Sequence, residues 1–366
     1  MQIAGIMRST MTALAIRRPL PTSVFLRSGT QVATTITRQG CVSTFSGSSP
    51  SSLFSTSSSA SSFQAPIPPK SKGQSVYEDI DISADKEKLL VSSKRNGDPN
   101  AVFVVNGSSR GIGLQFVKSL VDRSQGTILA CCRSPDSADK LNEFLSSSPQ
   151  ASQRVKTIQL DVEDQASIDA AAEEIKTSYN RVDCLFNVAG ILGDGKSDPG
   201  PERSLSKLDR DWVEKTMAVN VIGPVMLSQA LAPMMISKKR RGKKKSTSGE
   251  EEEERAQSVI VNLSARVGSI SDNELGGWYS YRFSKSALNQ ATRTMAHELK
   301  RQGTWTVALH PGTTNTDLSK PFQRNVQEGR LFPVEFTVGR LLDVVDGMED
   351  RHSGGLYDWS GTALPF

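Results

Sequence analysis

The chain has 366 residues, 37% of them hydrophobic, enough for one large α/β domain with extensions or for two small domains. Its formal charge of +5 misleads, because the first 77 residues hold seven basic side chains (Arg8, Arg17, Arg18, Arg27, Arg38, Lys70, Lys72) and no Asp or Glu, which leaves 37 basic against 39 acidic residues in the rest. That balance excludes a general polyanion binder, and the four cysteines (Cys41, Cys131, Cys132, Cys184) show neither metal-ligand spacing nor a disulfide framework, as in a reducing compartment.

Residues 1–75 are Arg-bearing, rich in Ser and Thr and acid-free, the composition of an organelle transit peptide. The mostly serine stretch Ser43–Ser62 cannot bury a core. The basic pair Arg17–Arg18 interrupts any apolar h-region and argues against a secretory signal. Spaced arginines favour the mitochondrial matrix, the Ser-Phe-Gln-Ala-Pro run at 62–66 keeps a plastid open, and a disordered tail with no address is the remaining reading. Residues 76–100 read as a polar linker, and no apolar run along the chain reaches the length that spans a bilayer.

From residue 101 to 366 strand and helix signals alternate. Strands are expected at Ala101–Val105, Thr127–Cys132, Val155–Leu160, Val182–Asn187, Ser258–Leu263, Thr304–Leu309 and Gly355–Trp359. Helices are expected at Leu114–Arg123, Ser137–Leu145, Gln165–Ser178, Asp211–Ile236, Ser284–Arg301 and Val334–Val345. The pattern predicts a single Rossmann-type α/β domain: a doubly wound parallel sheet of about seven strands with helices on both faces. One segment breaks it, at 237–256, where Lys238–Lys245 is followed by Glu250–Glu254. Opposite charge blocks of this kind make a solvated, disordered insertion. A nuclear-localisation or nucleic-acid patch is the sharper alternative, but the glutamates cancel the field and no aromatic residue interleaves.

The stretch Asn106–Gly113 (N-G-S-S-R-G-I-G) lies between the first strand and the first helix of the domain. Gly107 permits the tight turn, Gly111 lets backbone approach a phosphate, and Gly113 lets the helix pack closely on the strand. With Ser109, Arg110 and Ile112 between them, the free N–H groups and the helix N-terminus suit a pyrophosphate. The residue that reads the ribose is expected about 20 positions later, as Asp or Glu for NAD and Arg for NADP. That place holds Arg133, with no carboxylate beside it, and Arg110 adds a second guanidinium, so the cofactor expected is NADP(H).

Tyr281 and Lys285 stand four apart at a helix start and share a face. A phenol titrates near ~10, and a neighbouring ammonium stabilises its anion and makes it a usable proton donor. Lysine also has donors to spare for a ribose. Tyr279, the competing phenol, falls on another face.

In chain order the sequence shows G-S-S-R-G-I-G (107–113), Asp161-Val162, N-V-A-G (187–190), Asn220 in M-A-V-N, N-L-S-A-R-V-G (262–268), Y-R-F-S-K (281–285) and H-P-G-T-T-N-T (310–316). This ordered set resembles the short-chain dehydrogenase/reductase family, and G-S-I-S-D-N-E-L-G-G-W-Y-S-Y-R resembles its C-factor/sniffer-type carbonyl reductases. The resemblance implies that Tyr281 protonates a carbonyl oxygen as hydride arrives, that Lys285 lowers its pKa and binds the nicotinamide ribose, and that Asn220 anchors a relay water. It places Asn187, Ala189 and Gly190 along the cofactor channel, where the segment also braces the sheet, and Asp161, followed by Val162, at the adenine, with an N-cap for the next helix as the alternative reading of Asp161. Pro311 and Gly312 would meet the carboxamide, Thr316 would lie near the phosphates, and Thr314 belongs to the same cofactor-side turn. A small carbonyl substrate is implied, as is pairing of two copies through long helices such as 211–236; neither nucleic acid nor a membrane is an expected partner, and no metal site is expected.

One departure bears on activity. Ala265 occupies the place of the family's substrate-holding serine, and Val188 replaces a frequent second asparagine. Ser264 or Ser269 would have to serve instead. A non-catalytic NADP(H)-binding sensor or scaffold on the same fold is therefore the alternative to an NADPH-dependent carbonyl reductase.

Overall fold

The computed structural model describes residues 66, 73–83, 90–237 and 255–366. The acid-free segment up to residue 72, Cys41 and the charge blocks at 238–254 lie outside them, apart from Pro66.

Strands β1 (Val102–Asn106), β2 (Thr127–Cys132), β3 (Val155–Gln159), β4 (Cys184–Asn187), β5 (Ser258–Leu263) and β6 (Thr304–His310) are joined by helices α2 (Gly111–Arg123), α3 (Asp139–Ser147), α4 (Pro149–Arg154), α5 (Gln165–Ser178), α6 (Arg210–Met217), α7 (Gly223–Leu231) and α8 (Tyr279–Leu299). After the short pair β7 (Thr313–Thr314) and β8 (Leu331–Phe332) come α9 (Val334–Asp346), β9 (Leu356–Asp358) and β10 (Ala363–Leu364), while α1 (Leu90–Gly97) precedes β1. The main sheet runs β10-β9-β6-β5-β4-β1-β2-β3. It is parallel except for β10, which pairs antiparallel with β9. It therefore has eight strands, one beyond the seven expected, because the two residues of β10 are too short to carry a period-2 signal. The order reverses between β1 and β4, and ligands of such sheets bind at the carboxyl ends beside that reversal.

Strand alternation divides the core in two. Phe103 and Val105 of β1 pack with Phe116, Val117 and Leu120 of α2 and with Leu341 of α9, whereas Val102 and Val104 pack with Ile168 and Ile175 of α5 and with Leu227 and Leu231 of α7. Cys131 and Cys132 obey the same alternation, one on each face, and both are free thiols.

Two expectations need correction. The single helix read over Asp211–Ile236 is interrupted at Ala218–Ile222 by a π-helical segment that contains Asn220. The whole stretch Arg210–Met234 is long and apolar enough in composition to cross a membrane. Half of its most apolar window is buried inside the protein, with Leu227, Leu231 and Met234 packed under the sheet, as in a core helix. The described parts of the segment read as a linker, residues 76–83 and 90–100, are instead docked. Ile80 is 2% exposed and its N–H donates to the Gly361 carbonyl; the Tyr77 ring meets Tyr357 and Phe366 edge-on; and Arg95 of α1, also 2% exposed, pairs with Asp346 of α9. Single anchors spaced along a polar run leave no periodic pattern to read. Truncation of Ile80 to Ala should lower the unfolding free energy of the full chain in urea by about 2–4 kcal/mol, whereas a free linker would register no change.

Candidate active site

The glycine loop has the backbone its sequence requires. Gly107 has φ +84°, and a Cβ there would fall 2.7 Å from the Ala189 nitrogen; on Gly113 it would fall 2.1 Å from the Gly107 carbonyl oxygen. Gly111 has φ +57°, with Thr316 the nearest side chain at 3.6 Å from its notional Cβ. Thr316 thus stands beside the loop. Ser109 is partly exposed at the turn, and Ile112 packs back onto the core. Ser108, not singled out from sequence, fixes the loop: it is fully buried and its hydroxyl donates to the Cys131 carbonyl at 3.0 Å.

Past the end of β2, Arg133 lines an open cleft of about 690 Å³ with Ser134, Gln159, Asp161, Asp164 and Glu174. Asp161 Oδ1 accepts from the Glu163 N–H, and the cap of α5 is Asp164, so the N-cap reading of Asp161 falls away. The Val162 side chain is buried, against Gly223, where a Cβ would approach it to 2.6 Å. Arg110 is 70% exposed and stands 3.9 Å from Asp317, a loose contact that leaves its guanidinium accessible.

The centre of the site is built by three consecutive residues at the end of β5, each joined to α8. Asn262 Nδ2 donates to Thr292 Oγ1 at 2.8 Å, Lys285 Nζ donates to the Leu263 carbonyl at 2.8 Å, and Ser264 Oγ donates to Asn289 Oδ1 at 2.6 Å. Positions 285, 289 and 292 share one helical face, so the helix can lie on the strand end only in this register. Lys285 Nζ lies 5.5 Å from the Tyr281 ring centroid. A Cβ on Gly190 would sit 3.2 Å from Asn220 Oδ1 and 3.7 Å from Lys285 Nζ, which brings Gly190, Asn220 and Lys285 together. Asn220 is fully buried. Its Oδ1 accepts from the Ile191 N–H at 2.8 Å, and its Nδ2 donates to the Ile191 carbonyl at 2.9 Å and to Ser284 Oγ at 3.1 Å.

Burial acts on the two ionisable groups in opposite directions, since it disfavours each charged form. Tyr281 is pushed up to about 12 and Lys285 down to about 8, in both cases by desolvation. The expectation is of a phenol lowered by the ammonium; burial instead raises it. Trp278 stands edge-on to Tyr281 at 6.3 Å and against Phe322 at 5.4 Å, forming an aromatic wall. Tyr279 packs on Phe283, clear of Lys285, as its helical position required. Arg282, missed in the sequence, donates to the carbonyls of Gly277, Val267 and Gly276 and so ties down the turn before α8.

Two expected site residues, Ser264 and Thr314, are turned elsewhere. The Ser264 hydroxyl is committed to Asn289, on the strand face away from its neighbours, and Ser269 Oγ accepts from the Asp272 N–H; Ala265 keeps the place of the missing hydroxyl. Thr314 is 3% exposed and shares its hydroxyl with Thr337 of α9 rather than facing the glycine loop. The Asn187 side chain is buried and braces the sheet, donating to Asn262 Oδ1 at 2.9 Å and to Ser228 Oγ at 3.2 Å. Pro311 and Gly312 form the turn after β6; Gly312 has φ +71° and packs so tightly on Phe332 that a Cβ would approach its ring to 2.5 Å. The described residues contain no cluster of metal-binding side chains.

The short chain dehydrogenase family model matches residues 101–327, and the chain belongs to that family of oxidoreductases. Among curated relatives it is 28% identical over 264 residues to 1-hydroxy-2-glutathionyl-2-methyl-3-butene dehydrogenase of Rhodococcus sp. (strain AD45), covering 72% of this chain and 99% of that one. It is 31% identical over 185 residues to the C-signal protein of Myxococcus xanthus, covering 50% and 93%. Among solved structures, NADPH-bound carbonyl reductase from chicken fatty liver superposes with a TM-score of 0.61 at 29% identity, over 73% of this chain and 99% of that one. Carbonyl reductase Sniffer of D. melanogaster superposes with a TM-score of 0.60 at 25% identity, over 74% and 100%.

If Ser264 serves the helix and not the substrate, Ser264→Ala leaves a buried amide oxygen without a donor. Stability should then fall by about 1–3 kcal/mol while turnover holds, measured by chemical denaturation and steady-state rates. Lost turnover at unchanged stability would place the hydroxyl at the substrate.

Proposed function

We propose that the protein is an NADPH-dependent reductase of small aldehydes or ketones with Tyr281 as its proton donor. The observation that carries this reading is the convergence of Tyr281, Lys285, Asn220 and Gly190 at the carboxyl ends of β4 and β5. The residues present fit a dinucleotide. Gly107, Gly111 and Gly113 leave backbone exposed at the start of α2, Gly190 keeps open the space before Lys285, and Arg133 and Arg110 offer two accessible guanidiniums to a ribose phosphate. NADPH, when bound, supplies the hydride.

The side chains then divide the remaining work. Lys285 spends one of its three donors on the Leu263 carbonyl and keeps two for a ribose hydroxyl and for the field at Tyr281. Tyr281, held protonated by burial, donates to the carbonyl oxygen as negative charge grows there. Asn220 fixes Ile191 and with it the start of the loop over the site. Trp278 and Phe322 exclude water and favour an apolar carbonyl. The reading of a non-catalytic NADP(H) binder draws on Ala265, and cofactor binding without turnover over a broad carbonyl panel would select it.

Tyr281→Phe keeps the ring and removes the proton, so NADPH binding should persist while single-turnover hydride transfer falls by about 10²–10⁴; an unchanged rate overturns the assignment. The ammonium of Lys285 is present below its pKa and lost above it. Hence kcat/KM for NADPH, which reports the free protein, should be level below pH about 8 and decline as the pH rises further. The decline should disappear in Lys285→Met.

Cofactor choice is tested at Arg133. One charge-assisted contact contributes roughly 1.5–3 kcal/mol, so a preference of about ten- to a hundredfold for NADPH over NADH is expected in kcat/KM. Arg133→Asp should erase or reverse it. Equal values in the unmodified protein would remove these arginines from phosphate recognition.

A further inference from the structure

Helix α8, which carries Tyr281 and Lys285, begins without a cap of its own. Its cap position is Trp278, in the left-handed region at φ 53° and ψ 42°, and the indole makes no capping bond. Gly276 and Gly277 before it are left-handed as well, at φ +61° and +65°. The first N–H groups of a 21-residue helix are thus offered no acceptor by the turn that starts it.

The acceptor comes from a distant loop. Glu202, between β4 and α6, is 4% exposed and directs both carboxylate oxygens at Ser280. The Ser280 N–H donates to Oε2 at 3.2 Å and the Ser280 hydroxyl donates to Oε1. The Trp278 N–H donates to the backbone carbonyl of Glu202 at 2.5 Å. Gly277 permits this approach, since a Cβ there would lie 3.2 Å from that carbonyl oxygen. A buried carboxylate is costly unless its oxygens are satisfied, and the positive end of a helix is one of the few places that stabilises it without a basic partner.

The same loop is held at its other end by the site. It starts at Ile191, whose N–H and carbonyl both bond the Asn220 side chain. Within it, Gly193 turns against Pro199 and Trp212 so closely that no other residue fits, a Cβ there falling 1.8 Å from the Pro199 oxygen. The loop is therefore clamped to Asn220 at residue 191 and to the first turn of the Tyr281 helix at residue 202.

We propose that Glu202 is a positioning residue for proton transfer: it caps the Tyr281 helix in trans and couples the loop over the site to the phenol. This rests on Tyr281 being the proton donor. A misplacement of about 1 Å at a reacting group can cost on the order of a hundredfold in rate, and a helix cap is worth about tenfold in a local equilibrium.

The test uses the full chain with Glu202→Ala, Glu202→Gln, Ser280→Ala and the Glu202→Ala/Ser280→Ala pair, with benzaldehyde and NADPH as the probes. Glu202→Ala should lower kcat by about tenfold or more with KM for NADPH unchanged. Glu202→Gln, which keeps an acceptor oxygen, should recover most of the rate, and the double variant should be no slower than Glu202→Ala alone, because both changes break one contact. Hydrogen exchange at the Ser280 amide, measured without substrate, should quicken by about tenfold in Glu202→Ala and return in Glu202→Gln. Unchanged exchange and kcat in Glu202→Ala, or equal losses in the Gln and Ala variants, would overturn the proposal. Should Glu202→Ala not fold, Glu202→Gln and Ser280→Ala decide it by the same two readouts, with near-normal values in the first and slowed turnover in the second expected. A full rate in Tyr281→Phe would defeat the reading of the proton donor; altered exchange in Glu202→Ala beside that full rate would show a cap without a catalytic role and overturn the proposal with it.

Discussion

The site depends on a cation held in a place that disfavours it. Lys285 is 4% exposed, and the hydrogen-bond acceptor that fixes its ammonium is the Leu263 carbonyl at the end of β5. An ammonium buried with so little compensation is a local instability, and it is tolerated because the surrounding packing leaves the chain no cheaper arrangement. That requirement propagates outward. A side chain at position 190 would press on Asn220, since a Cβ there falls 3.2 Å from its Oδ1 and in contact with Nζ at 3.7 Å. The helix must start early enough to place the Tyr281 ring beside the ammonium, within cation–π range. The strand must end where its last carbonyls are no longer needed by the sheet, which is the carboxyl edge where such sheets bind their ligands.

Polar contacts between β5 and α8 enforce that geometry from within the core. Asn187, Asn262, Thr292 and Ser228 are buried residues joined in one chain of hydrogen bonds across β4, β5, α7 and α8. Thr292 closes it by donating to the Leu288 carbonyl and, through its own carbonyl, by accepting from Thr306 of β6. Apolar packing alone would tolerate small sliding of the helix on the strand, because dispersion is not directional. Hydrogen bonds at 2.8 Å and 2.6 Å on either side of the lysine contact are not so tolerant. In this light the departure at 264–265 is less severe than a lost hydroxyl suggests: Ser264 is held by Asn289 as part of the strand–helix contact, and under the proposed function the alanine at 265 would remove an orienting contact and not the proton donor.

Local rules read the repetitive part of the fold well. Apolar runs located seven parallel strands within a residue or two, and the spacing of Tyr281 to Lys285 fixed a shared face without any tertiary information. The Arg133 and glycine-loop positions follow from the length of one strand–helix–strand unit. What escaped was set by contacts distant in the chain. Ile80 meets Gly361, Glu202 meets Ser280 and Ser264 meets Asn289, and no periodicity encodes such pairs. The π-helical turn at 218–222 escaped for a related reason. Its residues have ordinary helical preference, and the wider turn places Asn220 between Ile191 and Ser284 and lets Gly223 pass Val162, which are tertiary demands. The left-handed Trp278 is the plainest case: a bulky aromatic is a poor choice for positive φ, and only its packing on Tyr281 and Phe322 with the bond from its N–H to Glu202 accounts for it.

The protonation states that follow from burial also define what the free site can do. With Tyr281 raised to about 12 and Lys285 lowered to about 8, the dominant state near neutrality is a protonated phenol beside an ammonium. Under the proposed function, that pairing carries the proton a carbonyl needs and the cation it needs as the oxygen becomes negative. The reverse reaction would require a phenolate, which is a minor species until the environment changes. The change available is electrostatic: groups that bring hydrogen-bond acceptors to the two remaining donors of Lys285 would raise the lysine and strengthen its pull on the phenol. The disagreement between the expectation of a lowered tyrosine and the raised one found here thus has a physical content. The ammonium lies 5.5 Å from the ring centroid, but burial decides where the phenol titrates.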